Sequence, residues 1–123
     1  MKITKKTGAG TYRSVAGHHI HAKKGFEGHG TYDFREAFAV SDDLLKQYGV
    51  RHANITPIQQ KLFKKLEASG LPNNLTQHSR IAFESLVKAG IPRQVAKDWV
   101  ARSQRELIQG GVFEPTLLPW GKK

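Results

Sequence analysis

The sequence contains no cysteine, and this absence limits the chemistry open to the chain. Disulfide bonds, thiolate metal ligands and cysteine nucleophiles are excluded, so any metal ion must be bound by histidine, carboxylate or amide groups. The chain also lacks an apolar run of about 18 residues, the length that indicates a transmembrane helix. No apolar stretch follows the basic start from Met1 to Lys6, so we expect neither a signal peptide nor a membrane partner.

Acidic residues are scarce as well. Ten Asp and Glu stand against 20 Lys and Arg in 123 residues, which gives a formal net charge of +10. So positive a domain favours phosphate-rich partners, because binding releases the counterions held by a nucleic acid. An acidic protein that covers the same surface is a second explanation, and the two partners do not exclude each other.

The length and the residue pattern predict one α+β domain, mostly helical, over residues 1–123. Its expected segments are a flexible leading segment (1–11), a histidine- and glycine-rich catalytic region (12–40), a helical region (41–110) and an extended tail (111–123). In the second segment, Tyr12 to Val15 is predicted to form a short strand. In the tail, Trp120 is predicted to pack against the rest of the domain.

Four helices are predicted in the helical region from capping residues and apolar periodicity. We expect them at Ser41 to Tyr48, from Thr56-Pro57 to Gly70, from Asn74–Thr76 to Ala89, and from Pro92 to about Gln109. The last of these has the clearest amphipathic pattern in the chain.

The histidines are the most informative residues, because four of the six fall within twelve positions. In an extended strand, His19 and His21 would share one face and His18 would lie on the other. A twist or bulge at Gly17 would let His18 and His19 serve one site. Imidazole binds divalent metals and is also a general base near neutral pH, so one histidine can bind metal while the next activates water. An exposed basic strand with no catalytic role is the alternative.

A second group of polar residues surrounds His78, one turn inside the third predicted helix. His78 is either a core histidine bonded to the backbone or a ligand that completes a metal site with the glycine-rich region. The preceding asparagines suit the start of a helix, and an asparagine there could position a histidine by hydrogen bonding.

These residues belong to a wider set that resembles one known family. The stretch from Ser14 to Lys23 is similar to the signature of the GHH family of HNH nucleases, which are endonuclease VII-like and have the His-Me finger. Its sequence is Ser-Val-Ala-Gly-His-His-Ile-His-Ala-Lys. Members occur as C-terminal domains of bacterial polymorphic toxins, including Rhs-type proteins. Further similar residues follow in order: Phe26, Gly28-His29, Tyr32, Ile55-Thr56, Gln59, Pro72-Asn73, His78, Pro115-Thr116 and Pro119-Trp120.

This resemblance implies a ββα-metal core, a small β-hairpin followed by a helix, with additional C-terminal helices. It implies that His18 binds one divalent metal ion (Mg, Mn, Zn or Ni), that His19 is the general base, and that His78 is another ligand. Asn73 would then orient His19. The remaining histidines, His21, His29 and His52, are candidates for a further metal ligand or for phosphate contacts. Of these three, His21 is the one expected among the metal ligands.

The expected function is therefore metal-dependent hydrolysis of DNA by an antibacterial toxin domain. The domain would be delivered as part of a larger toxin into the target bacterial cytoplasm, would act as a monomer, and would be neutralised by a cognate immunity protein. Plausible phosphate contacts are Lys23, Lys24, Arg35 and Arg80, although each of these charges also fits an ordinary solvated surface.

Two other functions fit the composition. One is a metal-independent ribonuclease that uses paired histidines as acid and base. The other is a non-catalytic DNA-binding module, in which the last two helices around Gly90 and Pro92 form a helix-turn-helix that presents Lys97, Arg102 and Arg105 to a groove.

Overall fold

A computed structural model describes residues 9–15 and 17–116 of the chain. They form an α+β domain dominated by helices, so the coarse class predicted from the sequence, α+β and mostly helical, is confirmed. Among the described residues, no helix is both long and apolar enough to cross a membrane. The predicted packing of Trp120 and most of the leading segment lie outside the described residues.

The sheet has three short antiparallel strands, β1 (Ala9–Thr11), β2 (His18–His19) and β3 (Phe38–Val40), in the order β1-β3-β2. His18 pairs with Val40, and His19 pairs with Ala39. The expectation of a flexible segment up to residue 11 is therefore wrong for Ala9–Thr11, because these residues pair with the central strand.

The predicted strand at Tyr12 to Val15 is also wrong, because these residues form a single helical turn, α1 (Tyr12–Val15). Thr11 supports the turn, since its hydroxyl accepts a hydrogen bond from the Ser14 N–H at 3.3 Å. The side chain of Val15 is buried. These local and tertiary contacts outweigh the weak strand preference of a four-residue segment.

Four longer elements follow: α2 (Asp42–Lys46), α3 (His52–Ser69), α4 (Leu75–Ala89) and α5 (Arg93–Gln109). Ser41 caps α2, since its Oγ accepts a hydrogen bond from the Leu44 N–H at 3.0 Å. Asn74 caps α4 in the same way. The predicted ends of α4 and α5 agree with the structure to within about one residue.

The start of α3 was predicted at Thr56-Pro57, and this is wrong, because the helix begins at His52. Proline inside a helix removes one backbone hydrogen bond, which normally favours a start next to it. Ile55 is completely buried in the main core, so the extra turn before Pro57 is stabilised by apolar burial. Gly70, at φ 75°, ends the helix in the left-handed conformation.

The helices pack in sequence order, α3 on α4 and α4 on α5, and α5 also contacts β3. The main core joins the sheet to these helices through fully buried residues that include Ile20, Val40, Ile55 and Leu86. A single turn of 3₁₀ helix (Lys23–Gly25) opens the long connection between β2 and β3. This arrangement places β2, the 20–37 connection and the start of α3 next to one another.

Candidate functional site

Three histidines line one open cleft of about 320 Å³. His18 and His19 come from β2, and His52 comes from the first turn of α3. Lys23 and Lys24, from the 3₁₀ turn, also line it, and within the described chain no carboxylate does. The cleft therefore combines imidazole groups with fixed positive charge, which suits a phosphate-bearing ligand.

Gly17 allows β2 to lie close to β3. A Cβ atom at this position would lie 1.9 Å from the Val40 carbonyl oxygen, so only glycine permits this approach of β2 to β3. The strand is only two residues long, and both His18 and His19 line the cleft.

His19 is held in a defined orientation. Its ring stacks on Tyr12, with centroids 4.2 Å apart and planes 15° apart. Its Nε2–H donates to the Phe34 carbonyl oxygen at 2.8 Å, so the neutral ring carries its lone pair on Nδ1. Burial lowers the pKa of His19, while the bond to Phe34 raises it and Lys23 lowers it further. The ring is therefore neutral at pH 7 and can accept a proton.

His18 is almost fully buried, and its ring centroid lies 4.9 Å from that of His52. Burial lowers the pKa of His18 to about 3, with smaller contributions from His52 and His19. Its Nε2 atom is buried and has no hydrogen-bond partner among the described residues. A neutral imidazole with an unused nitrogen beside a second imidazole is a donor pair that suits a divalent transition metal.

His18 and His52 are the side chains of the cleft that suit a metal ion. Within residues 9–15 and 17–116, no three or more histidine, aspartate or glutamate side chains form a group that could hold a metal ion. Further ligands would have to come from solvent or substrate oxygens, as is common where a metal site also binds a phosphate.

His21 lies elsewhere, in a buried hydrogen-bonded chain between the 20–37 connection and the last two helices. Ser79 donates to Gln104, so its Oγ accepts from the His21 Nε2–H at 2.8 Å. The His21 Nδ1 atom then accepts from the Ser103 hydroxyl at 2.6 Å. Both ring nitrogens take part in hydrogen bonds. His21 therefore links the 20–37 connection to α4 and α5, and neither nitrogen is left to bind a metal.

His78 is also buried, with its ring against Phe26 and Phe63. Its Nε2–H donates to the Asn73 side-chain oxygen at 2.6 Å. Asn73 therefore contacts His78, and the hydrogen bond that orients His19 comes from the backbone of Phe34. The ring is packed like that of a core histidine, although its partner is a side chain and not the backbone, and its Nδ1 atom has no hydrogen-bond partner among the described residues.

The other predicted residues are scattered. His29 accepts hydrogen bonds from Thr31, and Arg35 pairs with Asp33 at 3.2 Å, next to the cleft. Arg80 pairs with Glu84 on α4, and the cleft lining does not include it. Of the four predicted phosphate contacts, only Lys23 and Lys24 line the histidine cleft.

Sequence reasoning gave no role to Tyr12 and Phe34, and it named Thr56 and Gln59 only as part of the resemblance. The first two orient His19, and the last two line the cleft from α3. Thr56 and Gln59 follow His52 by four and seven positions, so a helix that starts at His52 places all three on one face. The orienting carbonyl of Phe34 leaves no signal in the sequence.

Comparison of the chain with protein-family models, with curated proteins and with solved structures gave no significant match.

Proposed function

We propose that this protein is an endonuclease that hydrolyses DNA phosphodiester bonds with a divalent metal ion. The observation that carries the proposal is the meeting of His18, His19 and His52 in one open cleft beside Lys23 and Lys24. The chain's net charge of +10 supports a nucleic-acid substrate. The proposed ligand pair is His18 and His52, in place of the His18, His78 and His21 set expected from the resemblance.

The order of elements also supports the proposal. The strands β2 and β3 form an antiparallel pair, and α3 begins with His52 after the short α2. An antiparallel strand pair followed by helices, with histidines on β2 and α3, is compatible with the ββα-metal core that the resemblance implies.

His19 is the proposed general base. Its Nδ1 atom takes a proton from a water molecule as the water oxygen attacks phosphorus, the bond to the 3′ oxygen breaks, and the leaving oxygen takes a proton from solvent. Phe34 and Tyr12 hold the ring in position, and Lys23 and Lys24 bind the phosphate groups. A divalent ion held by His18 and His52 would supply positive charge that stabilises the charge developing in the transition state.

The test is cleavage of supercoiled plasmid in magnesium, manganese, zinc, nickel or EDTA. We expect metal-dependent cleavage that falls by about 10²–10⁴-fold in His19→Ala, since this is the usual contribution of one base. His29→Ala is the matched control and should cleave as the wild type does, because His29 lies outside the cleft lining.

Metal binding provides a separate readout. Calorimetric titration with zinc and manganese should show weaker binding for His52→Ala, whose side chain is exposed and whose loss leaves the core intact. Cleavage of total RNA in EDTA with intact plasmid would overturn the proposal in favour of the metal-independent ribonuclease. Tight DNA binding without cleavage under any condition would favour the non-catalytic module.

We further propose, on the resemblance alone, that the domain is an antibacterial toxin delivered into a target cytoplasm and neutralised by an immunity protein. Induced expression in bacteria should stop growth and fragment the chromosome, and His19→Ala should relieve both. Normal growth at a confirmed level of wild-type protein would contradict this.

A further inference from the structure

A second depression, of about 470 Å³, lies beside the histidine cleft and shares Lys23 with it. Its walls include Tyr32, Asp33, Phe34 and Arg35, from the connection between β2 and β3. Its volume lies within the range of about 300–1,000 Å³ that is usual for small-molecule sites. The same residue, Phe34, therefore orients His19 through its backbone and lines this pocket with its side chain.

The charge of this pocket differs from that of the cleft. Two cationic side chains, Lys23 and Arg35, face two carboxylates, Glu27 and Asp33, so the formal charges cancel. Asp33 and Arg35 also pair directly, with Arg35 Nε donating to Asp33 Oδ1 at 3.2 Å. The histidine cleft has lysines and no carboxylate among the residues described. A phosphate is thus favoured in the cleft, and an uncharged group is favoured in the pocket.

The pocket also presents an exposed aromatic side chain. Phe34 is 39% exposed, although a phenylalanine of a folded domain is usually buried. Lys23 Nζ lies 4.6 Å from the centre of the ring, and the rings of Tyr12 and His19 lie 5.8 Å and 6.2 Å from it, so the exposed part of Phe34 is what remains for a ligand. Tyr32, whose ring packs against Phe26, also lines the pocket. Stacking on an exposed ring beside a basic groove is how unpaired bases bind to proteins.

We propose that this pocket binds one unpaired nucleobase next to the phosphate that occupies the histidine cleft, with the base stacked on Phe34. The inference rests on the proposed function, since it requires a nucleic-acid substrate. It adds that the protein acts on single-stranded or locally opened strands. A base held on Phe34 also places the substrate against the residue whose carbonyl orients His19.

The test is binding of fluorescently labelled oligonucleotides by anisotropy, in EDTA so that metal-dependent cleavage does not occur. The probes are a 12-nucleotide single-stranded DNA, the matching 2′-O-methyl RNA, the DNA duplex, and a series of the single strand with one abasic site moved along it. The proteins are the wild type, Phe34→Leu and Phe34→Trp. Leucine keeps the backbone carbonyl and much of the apolar bulk but removes the aromatic face. Phe113→Leu is the control, because Phe113 is 60% exposed and lines neither depression.

We expect Phe34→Leu to bind the single strand about tenfold more weakly, since stacking of one base is worth about 1–3 kcal/mol and 1.4 kcal/mol is a factor of ten. Phe34→Trp and Phe113→Leu should bind as the wild type does, and duplex binding should be unchanged throughout. One abasic position should weaken wild-type binding by the same factor and have no effect on Phe34→Leu.

The outcomes separate the two proposals. The base pocket would be overturned if Phe34→Leu bound the oligonucleotides as the wild type does. It would also be overturned if the abasic site had the same effect in both proteins at every position. Either result would leave the nuclease proposal standing. Failure of the wild type to bind any of the nucleic acids at low salt would overturn both.

Discussion

At the scale of single residues, the histidines differ because of what each ring contacts. His19 has a backbone acceptor and an aromatic neighbour, and His18 has a second imidazole beside it. Burial lowers the pKa of His21 and of His78 and keeps both rings neutral. The same side chain is therefore a proposed base, a proposed ligand or a core connector, and hydrogen bonds and burial distinguish these positions.

The buried histidines predict acid sensitivity. Burial lowers the pKa of His21 to about 3 and that of His78 to about 4, against 6.5 when exposed. Between these values and 6.5 the unfolded chain binds protons that the folded chain does not, so stability falls as pH falls. We expect the free energy of unfolding, measured by urea titration in EDTA, to decrease from pH 7 to pH 5 by up to about 1.4 kcal/mol per pH unit for each histidine.

A variant identifies the source of this pH dependence. His21→Asn should be less stable at pH 7, because it breaks the chain of Ser79, Gln104 and Ser103, and its stability should depend less steeply on pH. Equal unfolding free energies for the wild type at pH 7 and pH 5 would contradict the neutral buried state.

At the scale of elements, the site depends on how β2, β3 and α3 meet. β2 carries two of the cleft histidines and has only two residues, so its position is set by β3 and by the contact at Gly17. The third histidine stands at the beginning of α3, where burial of Ile55 extends the helix beyond its proline. Small changes at these junctions should disturb the cleft.

Gly17→Ala tests the junction of β2 with β3. The added Cβ would lie 1.9 Å from the Val40 carbonyl oxygen and 2.7 Å from the Ser41 Cα, and both are backbone atoms. We expect destabilisation by about 1–3 kcal/mol, as is typical for overpacking, together with loss of plasmid cleavage. Thermal unfolding followed by circular dichroism measures the first effect.

Gly30→Ala is the control for this substitution. A Cβ at Gly30 meets no atom within 4 Å, so stability and cleavage should stay close to wild type. If Gly17→Ala were as stable and active as Gly30→Ala, the close approach of the two strands would not hold in solution.

At the scale of the whole molecule, the excess of cationic residues is the dominant property. Among the described residues, four arginines have a carboxylate partner: Arg13, Arg35, Arg80 and Arg102. Each of these pairs is neutral, so the whole net charge of +10 is carried by the other residues, where it attracts phosphates, and the cleft places Lys23 and Lys24 beside the histidines.

This charge predicts salt-dependent nucleic-acid binding. The logarithm of the binding constant should fall linearly with the logarithm of salt concentration, and Lys23→Gln with Lys24→Gln should reduce the slope by about one to two. Lys97→Gln on α5 is the control, since the cleft lining does not include Lys97. A larger effect from Lys97→Gln would move the binding surface to the last two helices, as the DNA-binding module requires.

The sequence by itself determined the features that depend on near neighbours or on sums over the chain. Ser41 and Asn74 could be identified as caps because a cap bonds to a residue three positions away, and the net charge needs no structure at all. The amphipathic pattern likewise placed α4 and α5 within about one residue.

Only the tertiary structure decided which histidines meet. His18 lies beside His52, and His21 lies among Ser79 and Ser103, although all are distant in sequence from their partners. The short strand and the extra turn before Pro57 also depend on burial against other elements. Such contacts form between side chains and backbone groups that folding brings together, so no local pattern in the sequence specifies them.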